Sequence, residues 1–141
     1  GRRCAVCKGG HMALLKPIEI RTRDVAKTAS FYRDAFELQV VGKGRNGVYL
    51  SDWYINLAIL NLRTPTSPAG VEHFGFQVDD LSTTVERVAE LGGGQLTDLA
   101  RVTPSDPSHP QSYFEVKVTG PDDQEIDVSD SGWVGAPRRA Q

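Results

Sequence analysis

Cysteine and histidine are the residue types here that most readily bind a metal or transfer a proton, and the chain holds two cysteines and three histidines. Cys4, Cys7 and His11 stand together near its start, at a spacing that suits zinc. A structural zinc site needs four ligands, and no further cysteine follows. We therefore interpret residues 1–12, which read GRRCAVCKGGHM, as the remnant of a cleaved expression tag.

The two remaining histidines differ in their surroundings. His73 lies in the alternating run VEHFGFQV, which is typical of a strand, whereas His109 lies in the proline-rich stretch TPSDPSHP. A lone histidine in a strand is usually structural, although a neutral imidazole can also act as a general base. The stretch around His109 is long enough to be either a lid over a site or a surface insertion. No G-x-S-x-G or P-loop signature occurs.

The composition excludes several classes of partner. With 39% hydrophobic and 24% charged residues, the chain has an ordinary globular balance. Setting aside Arg2, Arg3 and Lys8 changes the formal net charge from −2 to −5. This acidic balance gives no electrostatic reason to bind nucleic acid or an anionic membrane. Because no apolar run approaches the roughly 18 residues of a membrane span and no secretory signal opens the chain, we expect a cytoplasmic protein whose partner is a small molecule.

The same order of elements can be traced twice along the chain. Asp24 and Asp80 each follow an alternating strand pattern and precede an apolar helical pattern, as N-caps do. The predicted strands and helices are strand 16–22, helix 24–36, strands 38–42, 48–50 and 54–62, then strand 71–78, a helix from 80 that ends at the glycines 92–94, and strands 95–102, 112–118 and 125–129.

An internal repeat explains this order. Residues 16–24 align with residues 72–80 at an offset of 56, with Asp24 on Asp80 and apolar helix positions in register. The sequence therefore predicts an α+β fold of two βαβββ modules. The predicted division is a first module at 13–62, a linker at 63–70, a second module at 71–130 and a tail at 131–141. A single module leaves one sheet face bare, so we expect two modules to pair into a cup around a small-molecule site.

Several motifs resemble one family. The run IEIRTRDVAKTASFYRDAFELQVV, with Asp24 and the pair Phe31-Tyr32, is similar to the opening module of the vicinal-oxygen-chelate superfamily. HFGFQVDDL and GPDDQEIDV resemble its second module, whose usual ending is DPDGN-x-IE. The superfamily includes glyoxalase I, fosfomycin-resistance enzymes, extradiol dioxygenases, methylmalonyl-CoA epimerase and bleomycin-binding resistance proteins. The resemblance implies mixed sheets curled into a cup, and a homodimer.

The resemblance also implies four metal-ligand positions, which carry over as Pro17, Asn61, His73 and Asp127. Proline cannot ligate through its side chain, and an amide oxygen is a poor ligand for a transition metal. Glu19 shares a strand face with Pro17 and is a candidate third ligand, which would complete a set suited to Mn, Fe, Zn or Mg. The alternative, which the ligand count slightly favours, is that Glu19 contacts a neighbouring base and no metal binds.

Three functions remain open at this point. The first is a glyoxalase- or dioxygenase-like enzyme, with or without a metal of the kind the resemblance implies, with His73, Glu19 and Asp127 as catalytic or ligating residues. The second is a metal-free binding protein of the bleomycin-resistance type, which would sequester a drug or antibiotic. The third is a metal-free isomerase with His73 as base and Asp127 orienting its ring. The residues expected to contact a ligand are Asn61, Gln77, Tyr113, Ile59, Leu57 and Trp133.

Overall fold

The computed structural model describes residues 13–97 and 115–137. The helices and strands in these ranges are β1 (Leu14–Thr22), α1 (Val25–Phe36), β2 (Gln39–Gly44), β3 (Gly47–Ser51), β4 (Asn56–Asn61), β5 (Gly70–Gln77), α2 (Leu81–Glu90), β6 (Gly94–Gln95), β7 (Val116–Thr119) and β8 (Glu125–Ser129). Within them, no helix is long and apolar enough to cross a membrane. The predicted lid around His109 and the ligand contact predicted for Tyr113 lie outside the described residues.

The described strands form one mixed, open sheet in the order β2-β3-β4-β1-β5-β8-β7-β6. The strands of each predicted module stay together, and β1 pairs with β5 in antiparallel fashion at the centre. Within each half, the first strand pairs in parallel with the last, β1 with β4 and β5 with β8. The sheet and two helices confirm the predicted α+β fold class, and the central pair is the only direct strand pairing between the two halves in the described part of the chain.

The helix starts follow the repeat. The side chain of Asp24 accepts a hydrogen bond from the backbone N–H of Lys27, and that of Asp80 accepts one from Thr83. Both caps have extended backbone angles, as expected for residues that precede the first helical turn. The same local chemistry therefore begins both helices.

Each helix covers the sheet of its own half. Ile20, Leu50 and Ile59 form an apolar cluster against α1, while Val85 of α2 packs into a second cluster with valines of β7 and β8. Because side chains alternate between the two faces of a strand, the residues between these positions point away from the helices. We call this second side of the sheet the cup face.

Leu57 and Ile59 do not line the cup. Ile59 is fully buried in the cluster against α1, and Leu57 packs on the same cluster. The strand face that Leu57 and Ile59 share is therefore the one that α1 covers, and not the cup face that was predicted for them. Strand β4 alternates as predicted, but Leu57 and Ile59 are on the side that packs against α1. Asn56, Ala58 and Leu60 therefore lie on the cup face.

Residues 130–137 cross from the second half to the first. After β8, the carbonyl of Val134 accepts a hydrogen bond from Asn56 Nδ2 at 2.8 Å, and the carbonyl of Gly135 accepts one from Ser51 Oγ at 2.5 Å. The carbonyl of Pro137 accepts a third, from Lys16 Nζ at 3.0 Å. All three donors are almost fully buried. These hydrogen bonds attach residues 134–137 to strands β1, β3 and β4 of the first half of the sheet.

Asn56→Ala is expected to loosen this segment. It leaves the Val134 carbonyl without its donor, which should lower the free energy of unfolding by about 1–3 kcal/mol. In a Trp53→Phe background, where Trp133 is the only tryptophan, acrylamide quenching of fluorescence should increase. Gln39→Ala, at an exposed position of β2, is the control. Unchanged quenching and stability would show that the hydrogen bond does not hold the segment.

Candidate functional site

A buried histidine lies at the junction of the two halves. In the central strand pair, Glu19 of β1 stands opposite His73 of β5, and Asp127 comes from the neighbouring strand β8. His73 Nε2 lies 2.9 Å from Glu19 Oε2 and 2.9 Å from Asp127 Oδ2. The His73 side chain is 1% exposed. The structure therefore brings together the three residues that were predicted to be catalytic or ligating.

The two carboxylates control the charge of His73. Burial alone would lower its pKa, but the hydrogen bonds and charges of Asp127 and Glu19 outweigh burial and raise the pKa of His73 to about 10. The pKa of Asp127 moves down, because His73 and Lys117 outweigh the effect of its own burial. At neutral pH the ring is therefore a cation that donates hydrogen bonds, and the predicted role of neutral His73 as a base would require loss of this proton.

Cationic side chains surround the carboxylates. Lys117 Nζ lies 2.5 Å from Asp127 Oδ1, and an Arg21 Nη atom lies 3.5 Å from Glu19 Oε2. Glu72 binds Arg21 at 2.5 Å and also binds Arg63. Burial opposes the ionisation of Glu72, but these two guanidinium groups lower its pKa to about 2. The contact of Glu19 with Arg21 was the predicted alternative to metal binding, and the structure shows it together with the contact to His73.

In the described part of the chain, one group of His, Asp and Glu side chains brings its ligand atoms close enough together to hold a cation. Atoms of Glu19, Glu72 and His73 lie within 4.8 Å of one another. Glu72 is already bound by two arginines, whereas Glu19 Oε2 lies 2.9 Å from His73 Nε2 and 3.5 Å from an Arg21 nitrogen. Asp127 Oδ2 also lies 2.9 Å from Nε2, so Glu19, His73 and Asp127 form an alternative set, whose nitrogen and carboxylate oxygens are borderline-to-hard ligands that suit Mn, Fe, Zn or Mg.

A further carboxyl group lies on the cup face beside this cluster. Glu115 immediately precedes β7, and its Oε2 accepts a hydrogen bond of 3.1 Å from the indole Nε1 of Trp133. Burial and the charge of Asp127 raise the pKa of Glu115 to about 7, against the opposing effect of Lys117. Trp133 is 6% exposed, and this hydrogen bond places its indole beside Glu115. A ligand contact of Trp133 stays a prediction.

Gln77 and Asn61 lie at opposite ends of the sheet. Gln77 is 6% exposed, its Oε1 makes no hydrogen bond in the described ranges, and its amide group packs beside Gly132. Asn61 is exposed at the last position of β4, paired with Thr22, and lines a cleft of about 330 Å³ with Arg23 and Arg63. Asn61 is therefore not part of the His73 cluster.

The strand register explains the misplacement of Asn61. Ile18 pairs with Leu57 in the first half, and its repeat counterpart Phe74 pairs with Ile126 in the second. The residue equivalent to Asp127 is therefore Ala58, three positions before Asn61. A sequence-based transfer could not find this position, because the stretch between β6 and β7 makes the second half longer and breaks the constant offset.

Comparison with known families identifies the fold. The pattern of the Glyoxalase/Bleomycin resistance protein/Dioxygenase superfamily matches residues 14–127. The chain belongs to this superfamily. The comparison with curated proteins gives no match.

Solved structures with the same fold are distant in sequence. A hypothetical protein from Bacillus halodurans C-125 superposes with a TM-score of 0.66 at 14% identity, covering 92% of this chain and 98% of that one. A Streptomyces coelicolor methylmalonyl-CoA epimerase variant in complex with 2-nitronate-propionyl-CoA gives 0.65 at 18% identity, with coverage of 83% and 96%. The methylmalonyl-CoA epimerase of Mycobacterium tuberculosis gives 0.64 at 13%, with coverage of 82% and 85%. At these identities the likeness establishes the superfamily fold alone.

Lys117 and Glu125 were not predicted as members of the cluster, whereas Arg21 was predicted only as a contact of Glu19. Lys117 and Arg21 alternate with core residues on β7 and β1, so strand parity could have placed them on the same face as Asp127 and Glu19. Glu125 lies two residues before Asp127 and shares its face for the same reason. The pairing between strands cannot be read from the sequence, and it is this pairing that brings these residues into contact on the cup face.

The raised pKa of His73 predicts a particular dependence of stability on pH. A histidine whose folded-state pKa is about 10 stabilises the fold fully below its unfolded value near 6.5. This contribution is lost as pH rises to about 10, and we expect a decline on the order of 5 kcal/mol in the free energy of unfolding. Urea denaturation at several pH values measures it, and His73→Gln should remove this slope. A ring that titrates near 6.5 by NMR would contradict the prediction.

The raised pKa of Glu115 predicts a second titration, separate from that of His73. Because its pKa is raised to about 7, the emission of Trp133 in a Trp53→Phe background should change with a midpoint near pH 7. Glu115→Gln should abolish the transition while it keeps a hydrogen-bond acceptor for the indole. A carboxyl group with a raised pKa also makes the fold less stable as pH rises from about 4.5 to 7. A transition that persists in Glu115→Gln would assign it to another group.

Proposed function

We propose that the chain is an enzyme of the glyoxalase or dioxygenase type that acts on a small, oxygen-containing organic molecule on the cup face. One observation carries the proposal: His73 Nε2 lies 2.9 Å from carboxylate oxygens of both halves, Glu19 and Asp127, in a buried position. Perturbed ionisable groups gathered in one place are a common mark of a functional site. His73 and Asp127 also stand at two positions where the family resemblance implies ligands.

The proposal includes a divalent cation held by His73, Glu19 and Asp127. When bound, such a cation supplies Lewis-acid polarisation of a substrate oxygen. Three protein ligands leave open positions for a substrate, as catalytic metal sites require. Pro17 and Ala58, the first-half counterparts of His73 and Asp127, cannot ligate through their side chains, so Glu19 would be the ligand that the first half supplies. Lys117 and Arg21 orient the carboxylates by hydrogen bonding and charge.

A metal-free binding protein is the second candidate, and the charge balance of the cluster supports it. Four carboxylates face four cationic groups when His73 is protonated. The carboxylates are Glu19, Glu72, Glu125 and Asp127, and the cationic groups are Arg21, Arg63, Lys117 and His73. These charges compensate one another without an added ion. In that case the cup would hold its ligand by shape and hydrogen bonding, without turnover. For either candidate, a homodimer and a cytoplasmic location remain predictions.

Metal titration separates the two candidates. Cys4 and Cys7 could bind zinc by themselves, so the experiment uses a Cys4→Ser/Cys7→Ser background with Mn²⁺ and Zn²⁺, followed calorimetrically and by elemental analysis after dialysis. We expect about one equivalent to bind, with an affinity that rises with pH because Nε2 must lose its proton. Glu19→Gln and His73→Ala should weaken binding at least tenfold, whereas Glu86→Gln, on the exposed side of α2, should not.

Binding of less than a tenth of an equivalent of metal to the Cys4→Ser/Cys7→Ser protein, with no further substitution, would reject the metal-dependent enzyme. The metal-free candidate then predicts that a ligand screen will find compounds that raise the melting temperature of the protein without being consumed. If metal binds but Glu19→Gln leaves its affinity unchanged, the third ligand has been assigned wrongly.

A further inference from the structure

Strand β8 supplies a carboxylate near each of the two ring nitrogens of His73. Asp127 Oδ2 lies 2.9 Å from Nε2, and Glu125 Oε2, two residues earlier on the same face of β8, lies 3.2 Å from Nδ1. Nδ1 is buried and makes no hydrogen bond within the described ranges. A small rotation of the Glu125 side chain would align its carboxylate with the Nδ1–H, since the distance is already that of a hydrogen bond.

Glu125 is better suited than Glu72 to accept this hydrogen bond. Glu72 Oε2 lies 3.8 Å from Nδ1 and is already bound to Arg21 at 2.5 Å, while its other oxygen binds Arg63. The contacts of Glu125 with cationic groups are longer, 3.7 Å to Lys117 and 3.9 Å to Arg63. A carboxylate without a close cationic partner is the one that can turn toward a ring N–H.

The orientation of the ring decides which nitrogen can hold a cation. A neutral imidazole carries one proton, and the nitrogen that donates a hydrogen bond is not available as a ligand. If Nδ1 keeps its proton, Nε2 presents its lone pair between Glu19 and Asp127, where the two carboxylate oxygens lie. Metal-binding histidines usually have such a carboxylate on their second nitrogen, and its loss typically costs about 10–100-fold in affinity.

We propose that Glu125 is a positioning residue: it holds the Nδ1–H of His73 and so directs Nε2 to the space between Glu19 and Asp127. For the cation, this inference rests on the proposed function. For the ring itself it does not, because a protonated, metal-free His73 would use the same Nδ1–H contact. A competing role for Glu125 is to balance the charges of Lys117 and Arg63, without any effect on the ring.

The metal-free protein gives the first test. In ¹⁵N-labelled protein at pH 6, the Nδ1–H proton of His73 should give a resolved signal that exchanges slowly with water. Glu125→Ala should speed this exchange at least tenfold or broaden the signal beyond detection, and Glu125→Gln, whose amide oxygen still accepts a hydrogen bond, should largely restore it. If Glu125 only balances charge, the Gln and Ala variants will behave alike. Equal protection in Glu125→Ala and the parent protein overturns the proposal, whether or not a metal binds.

Metal affinity gives the second test, in the Cys4→Ser/Cys7→Ser background with Mn²⁺ as probe. We expect Glu125→Ala to weaken binding about 10–100-fold, with Glu125→Gln between it and the parent protein and Glu86→Gln unchanged. Binding to the parent protein together with equal affinity in Glu125→Ala overturns the positioning role. No binding to the parent protein rejects the metal-dependent function instead, and the exchange measurement then decides the role of Glu125. Circular dichroism of each variant shows whether the fold is intact.

Discussion

The contact of the buried His73 ring with Glu19 and Asp127 is the interaction on which the rest of the cluster depends. Removing an imidazolium and two carboxylates from water is costly, and their mutual attraction offsets this cost only when the remaining charges are also paired. Lys117 and Arg21 provide that pairing from strands β7 and β1. Because Glu19 belongs to the first half and His73 to the second, the cluster can form only when β1 and β5 are side by side. The ionic contacts therefore depend on the assembly of the two halves.

The two halves have diverged at the positions that matter most. At the repeat offset of 56, Pro17 corresponds to His73 and Glu19 corresponds to Gly75. The first half therefore has its ionisable residue at the second of these two positions, and the second half has it at the first. A Cβ atom at Gly75 would approach Asp127 Cβ to 2.8 Å and Pro17 Cγ to 2.9 Å. Gly75 thus lets β8 and the Pro17 ring pack closely, which keeps Asp127 within reach of His73. In the described part of the chain, this asymmetry gathers the ionisable side chains into one cluster, where a symmetric repeat would have two equal clusters.

The sequence was sufficient for features that depend on neighbouring residues. Asp24 and Asp80 could be recognised as helix caps because a cap acts within one turn, and Glu19 could be placed on the face of Pro17 because alternation is local. The failures needed information from elsewhere in the chain. Leu57 and Ile59 were assigned to the cup because alternation does not say which face a helix covers. Asn61 was chosen over Ala58 because the longer second half hides the register, and Lys117 and Glu125 gain a role only through the pairing of β7 with β8 and of β8 with β5.

Charge balance links the two candidate functions to a residue outside the cluster. When His73 is protonated, the positive and negative charges of the cluster compensate one another. Replacing the His73 proton by a divalent cation would therefore add one positive charge to the cluster. Glu115 is the neighbouring carboxyl group whose pKa is raised to about 7, by its burial and by the charge of Asp127. A cation that shares the charge of Asp127 would reduce this repulsion and favour the ionised form of Glu115, which restores the balance. In a metal-free binding protein no added charge has to be balanced by ionisation of Glu115. The charge state of Glu115 at neutral pH therefore distinguishes a cluster whose own charges are balanced from one that holds a cation.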